Sequence, residues 1–331
     1  MARYSQDYNY DQIDAMELLS IVWEWDPTFV MLGELDIRWY GLMWAVGILL
    51  AERIIANVCK REGLPKHVVE SAFAWIVLGT FIGARAGHCL FYEPEVYLPE
   101  PWRIITDIRD GGMASHGATI GIMIGILGFV RRNHLPFVWG IDRIAIVAPL
   151  AGAIIRFGNL FNSEIVGKVT DVPWGFQFVR HDAPWAFREY NGDVPEALLA
   201  DIPARHPAQL YEAMCYLLTF ALLVWLYYRK DVGRRRPGIL FGVSMIGIFL
   251  TRFFIEFIKE RQVDFESGMA LDMGQLLSIP FILFGVFMIV RAMRRPEVSD
   301  LGAVVEYANS QFAAKRKAEE NKKRRDAKRR K

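Results

Sequence analysis

IAIVAPLAGAIIRFGNLFNSE, Ile144 to Glu164, starts as an uncharged apolar run and ends in groups that hydrocarbon does not tolerate alone. An arginine near a bilayer centre costs roughly 2.5–3.5 kcal/mol on insertion scales, so Arg156 at the end of such a run demands a partner. Asn159, Asn162 and Glu164 follow it within about two helical turns. An ionisable group in this setting marks a functional site by default.

The rest of the chain has the same character. Of its 331 residues 53% are apolar and 13% aromatic, and the mean hydropathy is +0.18. Those values argue against a pair of soluble domains. Apolar residues gather in runs near the length that crosses hydrocarbon, at about 37–59, 68–92, 112–131, 141–162, 208–229, 237–259 and 272–291. The expectation is an all-α, polytopic integral membrane protein of about seven transmembrane helices. The first 28 residues are acidic and lack a basic, then apolar, signal-peptide pattern, so the first span is expected to serve as the targeting signal. Cys59, Cys89 and Cys215 lie in or at the ends of apolar runs at no metal-ligand spacing and read as small buried residues.

Charge bias in the linkers sets an orientation. Connections after spans one, three, five and seven hold Lys60, Arg61 and Lys66; Arg131 and Arg132; Arg229, Lys230, Arg234, Arg235 and Arg236; and the tail from Lys315. The alternate linkers are acidic or mixed. The positive-inside rule then puts the amino terminus outside and the carboxyl terminus in the cytoplasm, which an odd number of spans satisfies. The domain reading is an acidic outer extension (1–36), a membrane domain (37–295) whose 163–207 insertion forms a small outer cap, and a basic cytoplasmic tail (296–331). Without aromatic interleaving or a recognisable fold, the tail is not expected to bind nucleic acid.

Helix direction then fixes depth. Tyr40 and His116 fall in the first turns of spans one and three, while Arg85, Arg156 and Arg252 fall in the outer halves of spans two, four and six. All five are expected in one layer near the outer leaflet. Three buried arginines would cost of order ~10 kcal/mol unless paired, hydrated or bound to an anion. Glu256, four residues after Arg252, and Glu164 are the expected internal partners. Cations still outnumber those carboxylates, and at headgroup depth the missing anion is expected to be a phosphate, which the arginine fork suits. A transporter of an anion or lipid headgroup would also need buried arginines, but it would spread polar groups to both sides of the midplane in paired halves.

DGGMASHGATIG carries His116 beyond the Gly111-Gly112 approach. A histidine at a helix start is ordinarily a satisfied structural group; at the depth of the arginines a general-base role is an equal alternative. Gly117, Gly121 and Gly125, like Gly79, Gly83 and Gly87, repeat at a spacing that lets helices approach closely. RHPAQLYE, with Arg205, His206, Gln209, Tyr211 and Glu212, opens span five and either caps that helix or meets a headgroup.

In this order along residues 37 to 291, RWYGLMWAVG, GARAGHCLFY, DGGMASHGATIG, RFGNLFNSEIVG, RHPAQLYE, TRFFIEF and MGQLLSIP resemble the prolipoprotein diacylglyceryl transferase family. The resemblance implies a bacterial inner-membrane enzyme with a periplasmic cap. Its implied reaction moves the diacylglyceryl group of phosphatidylglycerol to the lipobox cysteine of a preprolipoprotein, releasing glycerol 1-phosphate. It implies His116, Arg156 and Arg252 as catalytic residues, and Tyr40, Asn159, Glu164, Gly167 and Glu256 as further functional positions. Arg85 joins the phosphatidylglycerol-binding set by its depth. No metal or cofactor is implied, and the implied partners are phosphatidylglycerol, lipobox signal peptides and membrane lipid. The chain departs from the family at Ile155 and Ala118, where glycines are usual, and at Ile248, where a tyrosine is usual. The segment Lys259 to Gln262 leaves open whether Arg261 stands for the family's arginine after span six.

Overall fold

Lys60 and Arg61 close the first apolar run with charges that suit a helix carboxyl terminus, and Gly63 follows at φ 77°, the conformation that stops a helix. The Gly63 and Leu64 amides donate to the carbonyls of Lys60 and Cys59 at 3.1 and 2.9 Å, so the helix ends in a Schellman turn. The computed structural model describes residues 20–297 apart from 34, 108–111, 113, 191–192, 262–268 and 270, together with isolated positions between 310 and 325, and for 35, 115 and 116 the backbone alone. Residues 1–19 of the outer extension, most of the basic tail, Gly111 and Gln262 therefore lie outside the described residues.

Among the described residues the long helices are α1 (Trp39–Arg61), α2 (Lys66–Phe91), α3 (Ser115–Arg132), α4 (Phe137–Phe161), α5 (Ala208–Tyr228), α6 (Ile239–Ile255) and α7 (Met273–Arg294). They follow the seven apolar runs within a few residues. Helices α1, α2, α4, α5 and α7 are long and apolar enough to cross a membrane, α6 is a shorter apolar helix, and α3 has 18 residues. The protein is mostly helical, consistent with an all-α membrane protein. Among the described residues the helices are joined by five short strands: β1 (Ile21–Trp23), β2 (Thr28–Leu32), β3 (Leu35–Arg38), β4 (Phe176–Phe178) and β5 (Ala204–Arg205). At two to five residues they are too short to leave a readable alternation in the sequence.

The chain divides into two compact units. One comprises residues to Leu50, Ala148–Leu223 and Val243–Phe287; the other comprises Ala51–Val147, Val224–Gly242 and the chain from Met288.

In the first unit β4 lies between β1, its parallel partner, and β5, its antiparallel partner. Thus residues 21–23, within the expected acidic outer extension, pair with the 163–207 insertion. The insertion has its own core of Val179, Ala183, Ala186, Val194 and Ile202. The buried Gln177 amide ties it together by donating to the Leu199 and Ile202 carbonyls at 3.1 and 2.9 Å.

In the second unit α2 and α3 meet backbone to backbone. A Cβ on Gly83 would come within 2.7 Å of the Gly121 Cα, and one on Gly121 would meet the Gly79 carbonyl and come within 2.9 Å of the Gly83 Cα. Both glycine rows therefore do what their spacing implied. Gly121→Ala is expected to lower the melting temperature of the purified protein by the equivalent of about 1–3 kcal/mol, because backbone on both sides cannot yield. Gly41→Ala, where a Cβ meets nothing within 4 Å, is the matched control; equal melting temperatures for the two would show the contact to be loose.

The same unit holds a fully buried polar network. Arg143 pairs with Glu62 at 2.6 Å, both side chains at 1% exposure or less. Trp139 Nε1 and the Tyr227 hydroxyl also donate to Glu62, at 2.6 and 2.9 Å, and Arg143 donates to the Gly233 carbonyl at 3.0 Å. Asp142 beside it accepts from the Gly238 and Phe241 amides at 2.7 and 2.8 Å, capping the start of α6.

Candidate functional site

RFGNLFNSE forms the end of α4 and the reversal that follows it. The Ser163 and Glu164 amides donate to the Leu160 and Asn159 carbonyls, both at 3.0 Å, with Ser163 at φ 54°. This Schellman turn folds the two halves of the motif onto each other. Arg156 Nη1 donates to Asn159 Oδ1 at 3.1 Å, while the Asn159 and Asn162 amides donate to the two Glu164 carboxylate oxygens at 3.4 and 3.0 Å. Arginine, amide and carboxylate thus form one chain, and Asn162 and Glu164 open onto a cleft of about 490 Å³ also lined by Asp26, Arg180 and His181.

The reversal is strained. Ile165 holds φ 60°, a region that costs a β-branched residue of order 1–3 kcal/mol. Its neighbours hold it there. Val166 packs with Leu160, Phe176 and Phe178, and the Gly167 and Lys168 amides donate to the His206 and Ile258 carbonyls at 2.9 and 2.8 Å. A Cβ on Gly167 would strike His206 on one side and come within 3.0 Å of the Ile258 carbonyl on the other. Gly167 is thus required by close approach of backbone. Gly158 has a similar duty, since the Tyr40 ring lies where its Cβ would point, 2.9 Å away.

The carboxylate that meets Arg156 is Glu212, where Glu164 had been expected; Glu212 is 1% exposed and its Oε2 faces Arg156 Nε. One turn earlier the buried Gln209 amide donates to the Glu164 carbonyl at 2.6 Å. The QLYE face of α5 therefore grips both ends of RFGNLFNSE. Sequence reading had placed these residues at a helix start, and their i, i+3 spacing on one face was the available signal.

Arg252 is half-buried, and its Nε is buried without a hydrogen-bond partner among the described residues. Glu256 is not its partner: that carboxylate pairs with the buried Lys259 at 3.4 Å and sits over Gly274, where a Cβ would come within 2.6 Å of it. Lys259 was in view and its burial was not foreseen. Arg261 pairs with Asp272 at 3.2 Å, just before α7. Arg205 is bound at two points by Asp182, at 2.6 and 2.8 Å, and by Glu260 at 3.1 Å. The Asp182 contact holds the Arg205 guanidinium above its ordinary range, so Arg205 serves structure. Within this unit, and among the described residues, Arg252 is the arginine of the candidate set without a carboxylate at ion-pair distance.

Arg85 and His116 belong to the other unit. Arg85 is 4% exposed, and its guanidinium donates to the carbonyls of Ile104, Gly112 and Arg103 and to the Tyr97 hydroxyl at 2.9 to 3.3 Å. Arg85, one of the residues expected to bind lipid phosphate, thus has neutral acceptors among its partners. Gly112, at φ 76°, allows this contact, since a Cβ there would strike the His88 ring. His116 stands in the first turn of α3, directly after the segment that Arg85 organises.

A family model described as prolipoprotein diacylglyceryl transferase matches residues 27–291. Relatives named phosphatidylglycerol–prolipoprotein diacylglyceryl transferase include one from Porphyromonas gingivalis, 43% identical over 282 residues that cover 83% of this chain and 96% of that protein. One from Bacteroides fragilis is 40% identical, covering 82% and 94%. One from Chloroherpeton thalassium is 38% identical, covering 84% and 96%.

Proposed function

The chain belongs to the prolipoprotein diacylglyceryl transferase family, and from that premise we propose how its residues divide the transfer of a diacylglyceryl group from phosphatidylglycerol to a prolipoprotein. The observation that carries the division of labour is the state of the two arginines in the first unit. Arg156 is fixed through Nε by Glu212 and through Nη1 by Asn159, which leaves donors of its five for an anion. Among the described residues, Arg252 brings a charge with no carboxylate at ion-pair distance.

The acceptor is the lipobox cysteine thiol, of ordinary pKa about 8.5 and mostly protonated at neutral pH. His116 takes the thiol proton. The sulfur attacks the glyceryl carbon, a C–S bond forms, and the C–O bond to phosphate breaks with its electron pair leaving on glycerol 1-phosphate. Arg156 and Arg252 stabilise that developing charge, worth most where water is excluded. Tyr40, Asn159 and Glu164 keep Arg156 and its turn in place, Gly167 and Glu256 support the neighbouring backbone, and Arg85 shapes the approach to His116. The scheme fits seven spans in the bacterial inner membrane, the amino terminus and the 163–207 cap on the periplasmic side and the carboxyl terminus in the cytoplasm.

Purified protein given phosphatidylglycerol and a lipobox peptide is expected to yield the thioether and free glycerol 1-phosphate by mass spectrometry. His116→Gln should abolish the product while the protein still inserts and melts normally. Undiminished turnover in that variant would remove His116 from the mechanism.

A further inference from the structure

Tyr216 stands one turn beyond Glu212 on α5 and is 5% exposed. Its ring lies along α4, where a Cβ on Gly152 would come within 3.2 Å of ring carbon Cδ2. It packs in one cluster with Ala153, Phe157, Ala213 and Ile248. Gly152, Ala153 and Phe157 lead along α4 to Arg156, and the phenol ends among charges: it interacts with the Arg156 guanidinium and lies in the field of Glu212 and Arg252. A buried phenol must find a partner for its hydroxyl. Tyr216 stands one turn beyond Glu212, the partner of Arg156, and packs with Ile248, one turn before Arg252.

We propose that Tyr216 is a catalytic residue of this protein, its hydroxyl donating a hydrogen bond to the phosphate oxygen on which charge accumulates as the C–O bond breaks. This rests on the reaction assigned above. No proton leaves the phenol; the bond shortens as the oxygen becomes anionic, so the contact favours the transition state over bound lipid. Small residues on α4, Gly152 and Ala153, make room for the ring. Ile248, packed against it from α6, holds it toward Arg156, one turn short of Arg252.

Tyr216→Phe is expected to lower kcat about 10²-fold, the scale for losing one donor to a developing oxyanion. The Michaelis constant for phosphatidylglycerol and the melting temperature should be unchanged. Calorimetric binding of glycerol 1-phosphate to the same proteins should weaken in Tyr216→Phe. Wild-type kcat and binding in Tyr216→Phe, or a loss of kcat matched by a fall in melting temperature, would overturn the proposal. Wild-type protein that makes no thioether, yet binds glycerol phosphate through Tyr216, would instead remove the transfer reaction.

Discussion

Arg143→Ala is expected to destabilise its unit by about 3–5 kcal/mol, the cost of stranding a buried charge. Glu62 would remain at 0% side-chain exposure without its cation, and the donors on Trp139 and Tyr227 do not neutralise a carboxylate. Removing both charges is a different experiment. Glu62→Gln with Arg143→Met should recover much of the loss, because desolvation of the pair disappears along with its attraction. Thermal unfolding in detergent, read with each single and the double variant, checks the order wild type, double, single. A single variant as stable as wild type would mean that water reaches the pair.

Arg156→Ala should cut turnover by about 10²–10³-fold, the scale for removing an electrostatic contact to a developing oxyanion. Arg156→Lys should recover little. A single ammonium cannot hold Glu212 and Asn159 on one edge and present a further fork to phosphate. Arg156→Ala should also retain the fold less firmly than wild type, since Glu212 loses its partner, so kcat at saturating lipid must be read beside the melting temperature. A lysine variant with wild-type kcat would reduce Arg156 to a counterion for Glu212.

Much of this was legible in sequence because hydropathy and charge act over whole helices. The apolar runs placed α1 to α7 within a few residues, and both glycine rows announced close helix approach, though not that α2 and α3 would meet each other. Partner choice was not legible. Arg156 and Glu212 are 56 residues apart, and nothing local distinguishes Glu212 from Glu164 as the counterion. Proximity in sequence favoured Glu164 for Arg156, which the tertiary fold gave to Glu212 on α5; Glu256 pairs with Lys259, three residues on, instead of Arg252. The network of Glu62, Trp139, Arg143 and Tyr227 was hidden for the same reason, each member sitting at the end of an apolar run where a solvated charge is ordinary. The strands were missed because β1 to β5 are too short to leave a pattern, and β1 with β4 is moreover paired across a long stretch of chain.

The way Arg85 is satisfied bears on the order in which the protein is built. Every acceptor named for it lies between Tyr97 and Gly112, within the connection from α2 to α3, and those two helices fasten to each other through glycine backbone. A nascent chain that has delivered only its third span therefore already holds these acceptors, and α2 with α3 can settle against each other while later spans are still being synthesised. The counterion of Arg156 comes later: Glu212 arrives only after the 163–207 insertion has been made. The charge pairing around Arg156 is thus completed after the hairpin that carries His116.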